Sequence, residues 1–149
     1  MTNTIFNRRA GFDYEIEEIY KAGLVLLGQE VKSVKNGQVS LKESFVTIHG
    51  HDLYLTNARI APYAQAGNAA SYYDPIRPRK LLLRKNEIKH LIGKVRTLGL
   101  TLVPIRLYTK KRLIKLEFGL GKGKKKYDKR QKIAKRDDDR KMRQALKNL

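Results

Sequence analysis

Apolar and polar residues alternate first over Phe12–Tyr20, where Phe12, Tyr14 and Ile16 stand against Asp13, Glu15 and Glu17. A period of two places the two sets on opposite faces, so the stretch predicts a half-buried strand. Ala22–Leu27 continues apolar and extended. Val31 and Val34 are then three apart and followed by Asn36-Gly37, which fits a short helix over Gln29–Lys35 that stops at that pair. One long strand ending in an Asn-Gly hairpin fits the same residues. Ser44–Ile48 and Leu53–Asn57 are strand-like runs around His49-Gly50-His51-Asp52, which predicts a hairpin. Ala61–Arg79, with Pro62, Pro75, Pro78 and Gly67, reads as a long loop of the kind that carries function.

The strongest helix signal follows. Ile88, Leu91, Ile92 and Val95 fall at i, i+3, i+4, i+7, one buried stripe. Asn86 is placed to cap its start, with Glu87 in the first turn, and Gly99 to end it. Leu100–Thr109 then predicts a strand, Lys110-Lys111-Arg112 a turn, and the alternation of Ile114, Leu116 and Phe118 a closing strand. Pro104 has no N–H for a ladder, so it marks an edge or a bulge. Several strands, one clear helix and basic turns suggest a small OB-like β-barrel, which hides its edges and offers loops to oligonucleotides. A ferredoxin-like or other α+β RNA-binding fold fits the pattern nearly as well.

Length makes this a single domain. With no cysteine, disulfides, thiolate zinc sites and thiol nucleophiles are excluded. No apolar run approaches the roughly 20 residues that span a bilayer, and Met1–Phe6 lacks the features of a secretory signal, so a cytoplasmic protein without a membrane partner is expected. Charge changes the picture most. Thirty-three Lys and Arg stand against 14 Asp and Glu, a net of +19 and a pI near 10.2. Such an excess repels itself and calls for a polyanion, nucleic acid first and an acidic membrane surface second. Residues 122–149 hold 13 of the basic and 4 of the acidic residues, with only Ile133, Met142, Leu146 and Leu149 as sizeable aliphatics. We therefore expect a folded body over 1–121 and a basic tail over 122–149 that is disordered when free. Met142, Ala145, Leu146 and Leu149 lie at helical spacing, and Asp137–Lys141 and Asp139–Arg143 are i, i+4 pairs. The tail is thus a candidate for folding as a helix against a polyanionic surface.

Enzyme signatures are missing: no Walker-type loop, no GxSxG elbow, no HExxH. Gly119-Leu120-Gly121-Lys122-Gly123 lacks phosphate-loop spacing and reads as a flexible hinge. His49 and His51 read as solvated turn residues, and His90 as a residue of the exposed helix flank. Glu15, Glu17 and Glu18 read as solvated strand carboxylates. Asn7-Arg8-Arg9 and Arg77-Pro78-Arg79-Lys80 set guanidinium groups beside a folded platform, where their planar forks suit phosphate. Tyr63, Tyr72 and Tyr73 share that region and either stack on unpaired bases or pack the loop down.

Five motifs in order resemble the SsrA-binding protein family. They are Asn7-Arg8-Arg9-Ala10 through Asp13-Tyr14; Ala22-Gly23 with Gly28-x-Glu30-Val31-Lys32-Ser33; Asn57-Ala58-x-Ile60-x-Pro62-Tyr63; Asp74-Pro75-x-Arg77-x-Arg79-Lys80-Leu81-Leu82-Leu83; and Gly119-Leu120-x-Lys122-Gly123-Lys124-Lys125 through Tyr127-Asp128-Lys129-Arg130. The resemblance implies a mainly β, OB-fold closed antiparallel barrel with flanking helices and no catalysis, cofactor or metal. It implies binding to the tRNA-like domain of transfer-messenger RNA, delivery with elongation factor Tu, and entry into stalled ribosomes. It places transfer-messenger RNA contacts at Asn7, Arg8, Arg9, Tyr14, Lys32, Arg77, Arg79, Lys80 and Lys115, with Leu82 at a position tied to RNA binding. Gly123, Lys124, Lys125, Tyr127, Asp128, Lys129 and Arg130 would meet the 16S rRNA decoding centre, with Tyr127 stacked on an rRNA base and the tail helical in the empty mRNA channel. Two departures stand out: Lys21 where members commonly carry Glu, and Gly11-Phe12 in place of a basic residue and His. Two other classes remain open on the residues themselves. One is a structural ribosomal or rRNA-assembly protein; the other is an RNA-processing enzyme using Glu15, Glu17 and Glu18 with a metal.

Overall fold

The computed structural model describes residues 4–124, apart from the side chains of residues 68–71. A short strand β1 (Thr4–Phe6) leads into one helical turn, α1 (Ala10–Asp13), and then the long strand β2 (Tyr14–Leu24). Phe12 and Asp13, expected in the strand, lie in that turn. The Asp13 N–H reaches Arg9 O at 2.9 Å and the Asp13 carboxylate pairs with Arg9, one helical turn back. From Tyr14 onward the expected alternation holds, with Glu15 and Glu17 exposed. Helix α2 (Gly28–Lys35) follows and ends at Asn36-Gly37, with Gly37 at φ 73°, so the helical alternative is the one adopted.

Two-residue strands β3 (Val39–Ser40) and β6 (Arg59–Ile60) pair in a small separate sheet. Between them β4 (Phe45–His49) and β5 (Asp52–Thr56) form the expected hairpin, closed at His49↔Asp52 with Gly50 at φ 65°. The long loop contains a 3-10 segment, Ala64–Tyr72, broken at Gly67, and gives way to β7 (Arg79–Leu82). Helix α3 (Lys85–Leu98) is capped by Arg84, two residues before the predicted cap Asn86. Glu87, not Asn86, closes its first turn by accepting the Arg84 N–H at 3.4 Å. Gly99 at φ 64° ends it as predicted.

Strands β8 (Thr101–Lys110) and β9 (Leu113–Gly123) form a long hairpin turned by Lys111 and Arg112 at φ 48° and 68°. Its register shifts between Pro104 and Arg106, so the proline marks a bulge. The seven-stranded sheet runs β1-β8-β4-β5-β7-β2-β9, all antiparallel, and the β8–β9 pairing joins the last strand back to the second. The fold is mainly β with flanking helices. Leu53, Leu55, Leu81, Leu107, Leu116, Phe118 and Leu120 are buried on the strands, against Leu91 alone on α3. At roughly 1.5–3 kcal/mol for each such side chain, the strands build the core and the helix covers it.

The glycine-rich run expected as a hinge is part of β9. Gly119 pairs with Ile19 and Val103, and Gly121 with Ile16 and Thr101. A Cβ at Gly119 would lie 2.6 Å from Ile16 Cγ2 and 3.1 Å from Glu18 O. These glycines admit a side chain of the neighbouring strand; they do not loosen the chain. The ladder also continues past the Gly121 boundary drawn from composition, since Lys122 pairs with Glu15 and Gly123 with Tyr14. Among the described residues no helix is long and apolar enough to cross a membrane.

Candidate nucleic-acid interface

Buried charge organises the segment before β7. Glu30, at the third position of α2, is fully buried. Its carboxylate accepts the Leu27 N–H at 2.9 Å and bonds to Arg77 and to Arg79, the latter from Nε at 2.7 Å. Arg79 is equally buried. Its remaining donors go to Ala58 O at 2.6 Å, the Tyr73 hydroxyl at 2.8 Å and Pro75 O at 3.0 Å. Burial pushes the Glu30 carboxyl up, but the bonds from Arg77, Leu27 and Arg79 hold it below its ordinary value. Burial, then the hydrogen bond its hydroxyl donates to Glu30 at 2.9 Å, raises the Tyr73 phenol to about 12. Arg79, expected as an RNA contact, thus has its fork spent inside the protein, where it ties α2, the end of β5 and the loop together. Arg77 is different: its side chain is 28% exposed and its Nε–H has no partner. Two guanidinium groups on one carboxylate leave one positive charge, on the exposed side. Glu30 was visible in the sequence only as a motif letter, because nothing in spacing shows which charges meet.

The three loop tyrosines separate. Tyr73 is packed by its hydroxyl; Tyr63 lies with the Lys32 ammonium 5.3 Å from its ring centroid; Tyr72 is 92% exposed. Ser33 donates to Ala61 O at 2.7 Å and so fastens the start of the loop to α2.

Beyond this knot lies a basic rim. Lys80 is exposed, 3.7 Å from Asp52. Gly23 pairs with Leu82 on one side and Lys115 on the other, which sets those two side chains in one row. Leu82 is exposed and rests over Gly23, 3.5 Å from where a Cβ would be. Next to it a groove of about 280 Å³ has an aliphatic wall, including Leu26, Val31 and Leu113, and a rim of Arg112 and Lys115 with no acidic residue. Lys21 is exposed and directly opposite Glu117.

The remaining candidates sit at the other end of β2. Asn7 is locked to the β8 bulge, its N–H on Ile105 O and its Nδ2 on Pro104 O, both at 2.8 Å. Arg8 is exposed. Arg9 pairs with Asp13 at 3.2 Å, which raises its pKa, and lies 5.3 Å from the Phe12 centroid. Tyr14, Lys42, Phe45, Val103 and Lys124 join Asn7 and Arg9 around a cleft of about 580 Å³. Lys124 closes it, with N–H to Asp13 O at 2.9 Å and ammonium to Gly11 O at 2.7 Å. Gly123 is the last ladder residue beside Tyr14. Nine strand steps separate Tyr14 from Gly23, about 30 Å. The residues expected to contact one RNA therefore form two groups at opposite ends of β2. Lys125, Tyr127, Asp128, Lys129, Arg130 and the Met142–Leu149 helix lie outside the described residues.

The carboxylates offered for catalysis do not converge. Glu15 and Glu17 are exposed, whereas Glu18, expected in solvent, is bonded to Lys94 and to Tyr20. Lys94, then Tyr20, lowers its carboxyl to about 2. Its third neighbour is His90 Nε2 at 3.6 Å. His49 contacts Thr47 Oγ1 at 3.1 Å and the edge of Tyr54. Among the described residues no group of three or more His, Cys, Asp or Glu is placed to hold a metal.

The family model described as "SmpB protein" matches residues 4–148. An SsrA-binding protein of Carboxydothermus hydrogenoformans is 52% identical over 141 residues, 95% of this chain and 93% of its own. One of Chloroflexus aggregans is 50% identical over 141 residues, 95% of this chain and 89% of its own. A chain from the solved structure described as "tmRNA-SmpB: a journey to the center of the bacterial ribosome" is 48% identical with a TM-score of 0.67, covering 83% of this chain and 85% of that one.

Proposed function

The chain belongs to the SmpB protein family, and from that premise we propose that it binds the tRNA-like domain of transfer-messenger RNA and brings it to stalled ribosomes in trans-translation. The observation that carries this reading is the Leu82–Gly23–Lys115 row with its basic, acid-free groove, where cations and apolar surface meet on rigid backbone. Phosphates fit the cations, and an unstacked base fits the apolar wall. We read the returning order of strand pairings as an OB-like closed barrel, the body over 1–121 as the RNA binder and 122–149 as its tail. In this reading Arg77, Lys80, Lys32 and Lys115 contact RNA, and the Arg8–Arg9 end, from which the chain leaves toward the tail, is the second contact group. The tail, with Lys125 and Tyr127–Arg130, occupies the decoding centre and becomes helical in the empty mRNA channel. Elongation factor Tu joins the delivery complex, the protein acts in the cytoplasm, and it catalyses no reaction itself.

The test is competition at physiological salt. A labelled tRNA-like domain of transfer-messenger RNA is challenged with ordinary tRNA and with an unrelated hairpin. We expect the tRNA-like domain to win by orders of magnitude. Equal competition by all three would leave only a general polyanion binder and favour a structural ribosomal role.

A further inference from the structure

Strand registers decide which side chains share the outer face of the sheet, because directly opposed residues of antiparallel neighbours point the same way. In one row Phe6 faces Arg106, Arg106 faces Glu117 and Glu117 faces Lys21. In the next, Tyr108 faces Lys115, Lys115 faces Gly23 and Gly23 faces Leu82. The second row ends on two residues of the candidate interface and carries that surface over β9 to β8. With about 4.8 Å between strands, the face from β7 to β1 is roughly 19 Å wide.

The chemistry along it is not that of a merely solvated sheet. The Arg106 guanidinium lies 4.5 Å from the Tyr108 ring centroid and is held at its Nε by Glu117. Its plane is therefore oriented before any ligand arrives. Tyr108 beneath it is only 8% exposed, whereas Phe6, at the edge of the sheet, is 61% exposed. Among the described residues Phe6 takes part in no ring stack or cation–π pair, and it lines a cleft with Arg8, Arg9 and Lys42. Within these two rows Arg106, Lys21 and Lys115 stand against one acid, Glu117, which is already bonded, while Glu87 lies beside Lys21 and Lys115, and Glu15 and Glu17 lie farther along β2.

An open aromatic face, a fixed guanidinium plane and flanking lysines are what an unpaired stretch of RNA needs: surfaces for bases and cations for phosphates. We propose that the outer face of β1, β8, β9 and β2 is a base-stacking platform for unpaired RNA nucleotides. Phe6 is its open ring, Arg106 its second plane, and Lys21 and Lys115 its phosphate contacts. The proposal rests on the RNA-binding reading above.

The test uses the full chain, the tRNA-like domain of transfer-messenger RNA and two variants. Phe6→Leu keeps an aliphatic side chain at the edge and removes the ring. It is expected to bind on the order of tenfold more weakly, with Tm and salt dependence unchanged. Phe6→Trp introduces the one indole in a chain that has no tryptophan. It is expected to bind as the parent does, with indole emission quenched by the RNA. If the parent binds but Phe6→Leu binds equally well, or the indole stays unquenched, the platform is wrong and the RNA-binding reading stands. If the indole instead shifts to the blue on phosphatidylserine vesicles and ignores RNA, the face belongs to a lipid surface. Failure of the parent itself to bind RNA overturns the underlying reading, and the platform with it.

Discussion

Arg77 and Arg79, two positions apart, show how differently one residue type is used in one motif. The Arg79 side chain is buried with Glu30, and a buried ion pair adds little net stability while removal of one partner is costly. Arg79→Ala strands part of the Glu30 charge and should cost about 3 kcal/mol, lowering Tm by roughly 10 °C. RNA affinity should fall with it, but the slope of log affinity against log salt should stay as it was, since no phosphate contact is lost. Arg77→Ala should do the opposite and make that slope shallower by about 1 unit, with the smaller loss of Tm. Equal slopes for parent and Arg77→Ala would remove Arg77 from the interface. The sequence showed both arginines and no difference between them. That difference is made by Glu30, 47 residues before Arg77 and 49 before Arg79, and by the Ala58 and Pro75 carbonyls.

At the scale of elements, α3 is held to β2 by more than its apolar stripe. Lys94 and Tyr20 bond Glu18, and their bonds hold its carboxyl at about 2, below the ordinary 4.5. A carboxyl with a depressed folded-state pKa stabilises the fold above its unfolded value. That contribution is lost as pH falls from about 4.5 through about 2. Thermal melts of the parent and of Glu18→Gln should therefore differ at pH 6 and converge toward pH 2. The gap should be small, because the Glu18 side chain is 35% exposed. A gap that does not change between those pH values would show that Glu18 is not held ionised by Lys94. The α3 stripe and its Gly99 stop were readable from spacing, since a helix is a local structure. The pairing of Lys94 with Glu18 was not, because it joins residues 76 apart.

For the whole molecule, the proposed function divides labour between body and tail. Deleting Asp128–Leu149 should leave affinity for the tRNA-like domain within about twofold of the parent, because the binding rows lie on the body. The same deletion should abolish peptidyl transfer to transfer-messenger RNA on stalled ribosomes. Tagging that continues with the shortened protein would remove the tail from the mechanism. The two groups of candidate contacts, about 30 Å apart along β2, also mean that single substitutions at the two ends should act independently on affinity.

By itself the sequence determined the partner class and the longer strands and helix α3, while it left Gln29–Lys35 open between a helix and a hairpin. Net charge of +19, the strand alternation, the α3 stripe and the ordered motifs need no contact map to be read. It limited Pro104 to an edge or a bulge, since a missing N–H is a property of the residue, and the β8–β9 register decided for the bulge. The tertiary structure decided the rest, because the rest depends on long-range pairing. Gly119 and Gly121 are ladder residues and not a hinge because β9 pairs there with β2 and β8, and Ile16 of β2 takes the space where a Cβ would stand. Arg79 is an internal tie only because Glu30 is buried beside it. Phe6, Arg106 and Lys21 share a surface only because β1, β8, β9 and β2 pair in that register. Composition and periodicity report what each segment prefers; which side chains meet is set by the order and register of strands far apart in the chain.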